Sequence, residues 1–515
     1  MVNREVDSPP PKPALWTPST LASRLARFRI IPPLETYPWL VEFVQEPAGK
    51  VVLLALFALA LQPVSSMWAL LTLVLGFIAF LPQYRRILVT IGTLLALVYY
   101  NGWVKWLLLT RIAEQAQRPG AISVGFRATS ILLFFGLCAL SWHLIVRHKN
   151  SLLARRPVFF LFLVYAAMLL SACAATSASI RIWLWCFTIL LGGYFWALCY
   201  SFTDRNAKDR GGFLLQLGTY HPFWIGMVPT TMPFAKGAAY LRNIEAKSAK
   251  ELAVTQLKGL KLLLWALVLA ALLDVFVYVV HGEHGVLSGA LHIPFHFALP
   301  RFSNALGSSP AGAPYPWYVC WASVMADFAR VALDLSVMGH LIIACCRMAG
   351  FRAVRNTWRP LRSRGIADFW NRYGFYFKEL LVDFFFFPAY LRYFKRHPRL
   401  RLLAATFAAA GLGNAIYHFM RRLEPVAEVG LWQAVVGFQS YAFYTLLLSA
   451  GIGFSQLREI RRKGSGTKTW FRTRVLTPGS VLLFYCLLHV FDETAVAHPL
   501  SERFVFLMNM FGLRV

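Results

Sequence analysis

Residues 402–420 read LLAATFAAAGLGNAIYHFM, a run without Asp, Glu, Lys or Arg that nonetheless holds Asn414 and, one turn later on the same face, His418. At about 1.5 Å per residue such a run nearly spans the ~30 Å hydrocarbon core of a bilayer. Only a helix or a closed barrel satisfies every backbone polar group in lipid, and the run lacks the alternation of a barrel strand. It is therefore expected to be a helix. Comparable runs occupy 128–146, 157–175, 180–202, 259–281, 316–346 and 430–457. Shorter or interrupted ones lie near 51–63, 67–82, 87–109, 475–491 and 504–513, the first two punctuated by Pro63 and Pro82. The expected fold is an all-α polytopic membrane protein of ten to twelve transmembrane helices, some re-entrant or interfacial.

Composition agrees. Of 515 residues, 58% are hydrophobic and 15% charged, against about 25% charged in ordinary soluble chains. Disorder, a coiled coil and a disulfide scaffold are excluded on these numbers. The net charge of +29, from 52 Lys and Arg against 23 Asp and Glu, points to cytoplasmic loops and anionic lipid headgroups rather than to nucleic acid. The eight Cys sit mostly in apolar runs without a C-x-x-C pair and read as small core hydrophobes. Residues 1–50 form a Pro-rich and basic segment (Pro9, Pro10, Pro11, Pro13, then Arg24, Arg27 and Arg29) with no cleavable signal peptide, so the first apolar run is expected to act as its own membrane address.

Loop charge sets the orientation. Lys236, Arg242, Lys247, Lys250 and Lys258 precede one span, and Arg347, Arg352, Arg355, Arg359, Arg362 and Arg364 follow another, so both loops are expected in the cytoplasm. The segment 374–391 is flanked by basic residues on both sides and is not expected to cross. Across its start, Arg372, Tyr376, Glu379 and Asp383 recur at helical spacing among many Phe residues. That pattern suits a helix lining a polar cavity, and equally an amphipathic helix lying on the membrane surface.

An ionisable group at membrane depth is a functional candidate by default. Desolvation disfavours an imidazolium, so His418 would serve as a neutral base, and Gly411 and Gly413 would allow a neighbour or ligand to approach closely. The plainer reading is a His satisfied by an interhelical hydrogen bond. A second set, Asp327, Arg330 and Asp334, lies on one stripe of the 316–346 run, where mutual neutralisation is expected; His340 lies off that stripe. His281, His284, His292 and His296 fall close together, but Pro294 interrupts the last pair and Glu283 is the one nearby carboxylate, so no metal site is expected.

Read as one block, residues 334–391 resemble the signature region of the membrane-bound O-acyltransferase family, in particular bacterial members similar to alginate O-acetyltransferase and the D-alanyl transferase of teichoic acid. The residues that carry the resemblance are Asp334 and Ser336, Gly350-Phe351, Asn356, Arg359-Pro360, Asp368-Phe369-Trp370, Asn371-Arg372-Tyr373, Asp383 and Pro388. Upstream, Lys258-Gly259-Leu260-Lys261 resembles the family's Gly-x-Lys lead into the preceding span; downstream, His418 stands in the setting of its intramembrane catalytic His. The match covers roughly 255–425. It implies four parts: 1–50, N-terminal helices in 51–254, a catalytic core in 255–425 and C-terminal helices in 426–515. One departure is plain: the family's first signature polar residue aligns with Gly374, and Asn371, one turn earlier, is the nearest amide to stand in for it.

The resemblance implies that His418 takes a proton from an acceptor hydroxyl that attacks an acyl thioester, without a covalent acyl-enzyme, with Asn371 or Asn414 orienting the base or holding the oxyanion. It implies that Asp334, Trp370, Tyr376 and Asp383 contribute to substrate binding. The cytoplasmic arginines Arg359, Arg362, Arg364 and Arg372 would attract the phosphates of acetyl-CoA or another acyl-CoA, which acts as co-substrate and not as a tightly bound cofactor. A start at Leu402 puts His418 about 24 Å along the helix, which favours an extracytoplasmic acceptor: an exported or cell-envelope saccharide at a bacterial inner membrane. A partner protein that handles the acyl group outside the cell is a further expectation. Two rivals remain at this point: a transporter or glycan-export channel lined by Asp327, Arg330, Asp334 and His418, and a non-catalytic relative serving as a membrane scaffold.

Overall fold

The computed structural model describes residues 30–100, 105–203, 218–219, 221–225, 236, 238–462, 471–492 and 498–513. The prolines and arginines that mark the N-terminal segment lie outside these residues. Among the described residues the chain is helical, with a single isolated antiparallel bridge between Glu245 and Phe351. Eight helices among the described residues are long and apolar enough to cross a membrane: Pro47–Val64, Val124–Arg147, Pro157–Ala174, Ala178–Thr203, Ala249–His281, Trp317–Met348, Pro398–Met420 and Arg474–Asp492. The 430–457 run becomes a ninth span only if Leu431–Gly437 and Gln439–Ile460, bent by 46°, are taken together. The protein is thus a multi-spanning all-α membrane protein.

The difference from ten to twelve long helices has local causes. The run at 67–82 gives a helix of 13 residues, Trp68–Phe80, closed before Pro82. The run at 87–109 divides into Arg85–Tyr99 and Trp106–Gln115, and the last run, 504–513, overlaps a helix of only 11 residues, Leu500–Met510.

Helix ends follow ordinary capping chemistry. Ser248 accepts from the Glu251 N–H at 3.1 Å to start Ala249–His281, and Gly282, in the left-handed region at φ 77°, closes it. This helix packs along Trp317–Met348, and Gly259 makes that closeness possible: a Cβ there would lie 3.0 Å from the Ala344 carbonyl oxygen.

Polar contacts gather helix ends into two groups. In one, Arg85 donates to the carbonyls of Gly350 at 3.1 Å and Ala246 at 3.0 Å, Arg86 pairs with Glu245 at 2.8 Å, and Gln256 donates to Met348 O at 3.1 Å. Gly350 adopts φ +84° and has no room for a Cβ beside the Arg85 guanidinium. In the other, Lys105 pairs with Glu424, Arg111 with Glu428 at 2.8 Å, and Trp321 donates to Met510 O at 2.8 Å. The first group contains the basic loops assigned above to the cytoplasm. Ala178–Thr203 is buried for most of its length, whereas Val124–Arg147 and Pro157–Ala174 expose apolar side chains as lipid-facing helices do.

Candidate active site

Pro398–Met420 is not a uniform helix. Its centre, Phe407–Gly413, winds as a π-helix before Asn414–Met420 resumes α-geometry. A second π segment, Val382–Phe386, packs against it. Wide turns of this kind are rare and tend to mark functional positions. Gly413 makes the contact possible: a Cβ there would sit 2.6 Å from the Phe385 ring. The two segments together fix the rotation of the turn that carries Asn414 and His418.

Opposite this turn the chain folds back on itself. Ile366–Tyr373 stops at Gly374 (φ −137°, ψ 56°) and Phe375–Leu381 continues in a new direction. Loop residues clamp the break: the Asn356 side-chain oxygen accepts from Tyr376 N–H at 3.3 Å, its carbonyl from Phe375 N–H at 3.2 Å, and the Arg372 carbonyl from Trp358 N–H at 2.6 Å. The expected single stripe of Arg372, Tyr376, Glu379 and Asp383 is therefore broken at Gly374. Tyr376, Phe377, Leu380 and Leu381 are buried against the rest of the protein, whereas Phe387 and Leu391 further along the segment are exposed.

Two cavities flank this arrangement. The larger, about 410 Å³, is lined by His418, Asn414, Trp370, Gly374 and Asn356, by Tyr373, Tyr441, Tyr444 and Tyr485, and at one end by Arg330, Asp334, His489 and Asp492. The smaller, about 290 Å³, is mostly apolar, with Asn371, Lys378, Thr406, Asn414 and Gln456 as its polar lining. Trp370, Phe377 and Asn414 line both and so form the partition.

The His418 ring lies 4.7 Å from that of Tyr441 and 5.7 Å from that of Phe377, centroid to centroid. Its imidazole makes no hydrogen bond to another helix among the described residues. Asn414 is 2% exposed, and its Oδ1 accepts from the Tyr441 hydroxyl at 3.4 Å.

A second ionisable cluster closes the far end of the larger cavity. Asp327 accepts from Arg330 Nε at 2.8 Å and lies 2.9 Å from His489 Nε2, and His489 Nδ1 lies 2.7 Å from Asp492. Of the expected trio, Asp327 and Arg330 do neutralise each other. Asp334 does not join them: it is exposed within the cavity, without a hydrogen-bond or ion-pair partner among the described residues.

Of the remaining sequence candidates, Trp370 and Asn371 reach the cavities, but Asn371 lines the smaller one, away from His418. Tyr376 is buried and donates to Val354 O at 3.1 Å, and Asp383 accepts from the Tyr200 hydroxyl at 2.8 Å; neither lines either of these two cavities. Arg359, Arg362 and Arg364 are exposed on the loop before Ile366–Tyr373, and Arg372 is engaged by Asp368 at 3.0 Å. Glu379 is penalised by burial, yet hydrogen bonds from Lys378 and Lys236 hold its carboxyl below the ordinary value. No group of three or more His, Cys, Asp or Glu placed to hold a metal occurs among the described residues.

His489 and Asp492 were not singled out from the sequence. The signal existed: His489 interrupts the apolar run 475–491 as His418 interrupts its own. Comparison with protein-family models and with curated proteins gives no match for this chain.

Proposed function

We propose that this protein is a membrane-embedded O-acyltransferase of the membrane-bound O-acyltransferase type, moving an acyl group, most simply acetyl, from a cytoplasmic thioester to a hydroxyl of an exported or cell-envelope saccharide at a bacterial inner membrane. The observation that carries this reading is His418: an imidazole in an apolar helix, free of hydrogen-bond partners among the described residues, facing a cavity that shares a wall with a second one. A His kept for structure has its nitrogens satisfied; a general base needs one free.

In the proposed reaction the neutral imidazole removes the proton of an acceptor hydroxyl in the larger cavity. The oxygen attacks the thioester carbonyl presented from the smaller cavity, and the tetrahedral intermediate collapses with expulsion of the thiolate. The thiolate takes the proton back from His418, so the enzyme ends unchanged. With its oxygen facing Tyr441, the Asn414 amide N–H₂ is the donor available to the developing oxyanion. Separate cavities hold the two substrates next to each other and keep bulk water from the thioester. The apolar smaller cavity suits the acyl-pantetheine arm, and the exposed Arg359, Arg362 and Arg364 supply positive charge for the donor phosphates at the cytoplasmic surface.

A channel or transporter is the second reading, favoured by the charged end of the larger cavity at Arg330, Asp334, His489 and Asp492. The scaffold reading rests on Gly374, where the family signature has a polar side chain.

The test is thioester consumption by the purified protein with acetyl-CoA and extracts of surface glycan, followed by mass spectrometry of the glycan. His418→Ala is expected to lower transfer by a factor of about 10²–10⁴ while the protein keeps its elution profile and binds the donor. Wild-type protein that binds a thioester without consuming it would favour the scaffold, and saccharide transport without any acyl donor would favour the channel.

A further inference from the structure

The larger cavity pairs the His418 imidazole with a charged end, and the sign of that end selects among acceptors. Three carboxylates, Asp327, Asp334 and Asp492, face two basic groups, Arg330 and His489. Counting His489 as a full cation, and His418 as the neutral base its role requires, the cluster sums to −1. The unbalanced charge is Asp334: Arg330 is engaged by Asp327, and His489 sits between Asp327 and Asp492.

The surrounding lining points to what Asp334 holds. Tyr444 is 6% exposed, lines the same cavity, and its hydroxyl has no hydrogen-bond partner among the described residues. The aromatic rings of Tyr373, Trp370 and Tyr485 line the same cavity. A free carboxylate and a free phenol beside aromatic rings form the chemistry that grips a polyol: the carboxylate accepts from adjacent hydroxyls, and aromatic rings can cover its C–H faces. An anionic ligand would be placed beside an uncompensated carboxylate, and like charges held close together repel.

Resting on the acyl-transfer reading of this cavity, we infer that the acceptor is an uncharged polyhydroxyl compound, a neutral saccharide, and that Asp334 is the residue that binds its hydroxyls and turns away uronate-bearing or phosphate-bearing chains.

The test uses the full-length protein in lipid nanodiscs and a matched pair of acceptors, a cello-oligosaccharide and the same chain oxidised to the uronate at C6. Transfer from acetyl-CoA is followed by mass spectrometry, and binding is measured separately by equilibrium dialysis of the labelled oligosaccharides. Wild type is expected to prefer the neutral chain by about tenfold or more in kcat/KM and in binding. Asp334→Asn, which removes the charge and keeps the shape, is expected to narrow that ratio to about threefold or less. Equal use or equal binding of the two chains by wild type overturns the inference, as does a ratio unchanged in Asp334→Asn. If neither chain is acylated, binding decides: selective retention of the neutral chain, weakened by Asp334→Asn, sustains the neutral-saccharide site while removing the transferase reading. Retention of neither chain overturns the site itself.

Discussion

Replacing Asp327 by Asn tests whether the charged end of the larger cavity is organised around one buried carboxylate. Asp327 has a side chain only 5% exposed and makes two links, to Arg330 Nε at 2.8 Å and His489 Nε2 at 2.9 Å. Asp492 makes one, to His489 Nδ1 at 2.7 Å, and its side chain is 31% exposed. Breaking a buried pair by removing one partner costs about 3–5 kcal/mol because the other partner is left uncompensated. A half-exposed partner is screened and counts for about 1 kcal/mol or less. Asp327→Asn is therefore expected to destabilise the protein by about 2 kcal/mol more than Asp492→Asn. Adding His489→Gln to Asp327→Asn removes the buried imidazole that has lost one of its two carboxylate partners and keeps only Asp492, so the double variant should recover part of the loss, with a coupling of about 1–3 kcal/mol. Arg330, 30% exposed, stays free to turn toward the cavity and Asp334. The measurement is unfolding of the purified protein in mixed micelles against increasing SDS, followed by tryptophan fluorescence, with all variants under one lipid condition. Equal losses for Asp327→Asn and Asp492→Asn, or strictly additive losses in the double variant, refute the argument.

Gly413→Ala is expected to cost about 1–3 kcal/mol by overpacking against the Phe385 ring and to lower acyl transfer more than it lowers donor binding, because the turn carrying His418 must shift; parallel losses in both would separate stability from positioning and go against it. Trp370→Ala opens the partition between the two cavities, so acetyl-CoA hydrolysis without acceptor is expected to rise while transfer to the glycan falls; a fall in both reactions would show that the indole does not keep water from the thioester. Burial alone would raise the carboxyl of Glu35, but its hydrogen bond from Lys261 holds it below the ordinary value near 4.5. A group depressed in the folded protein stabilises above its unfolded value and loses that contribution as pH falls through the folded one. Thermal stability is thus expected to drop below about pH 4.5, and Glu35→Gln to flatten that drop; an unchanged pH profile in the variant would remove Glu35 as a contributor.

The spans were legible because length and the absence of charge are one-dimensional properties. Pro157–Ala174 and Trp317–Met348 begin and end within a few residues of the expected runs. What the sequence did not reveal is where helices bend and what meets across them. The π segments at Val382–Phe386 and Phe407–Gly413 consist of ordinary apolar residues whose identity carries no signal for a wide turn. The partnership of Asp327 with His489 spans 162 positions, and only packing brings the two together. Arg330 could have turned to Asp327 or to Asp334, three residues before it and four after; it pairs with Asp327, which also meets His489, a partner that no local pattern contains. The same holds for Arg372, which helical spacing aligns with Tyr376 but which pairs instead within its own short helix with Asp368.

Gly374 ties these observations to the proposed chemistry. At that position the O-acyltransferase signature places a polar side chain, and Asn371 was its nearest substitute in sequence. Geometry argues for a different amide. Asn371 opens onto the smaller cavity, whereas Asn414 belongs to both and stands one turn from His418. A Cβ at 374 would lie 3.2 Å from two carbons of the Trp370 ring, closer than side chains ordinarily pack. The glycine therefore leaves room for the indole to lie over the chain break and complete the partition. On this account the missing side chain is not a lost catalytic group: the bare backbone at 374 gives Trp370 its place in the wall, and the amide that serves the reaction comes from the same helical turn as the base.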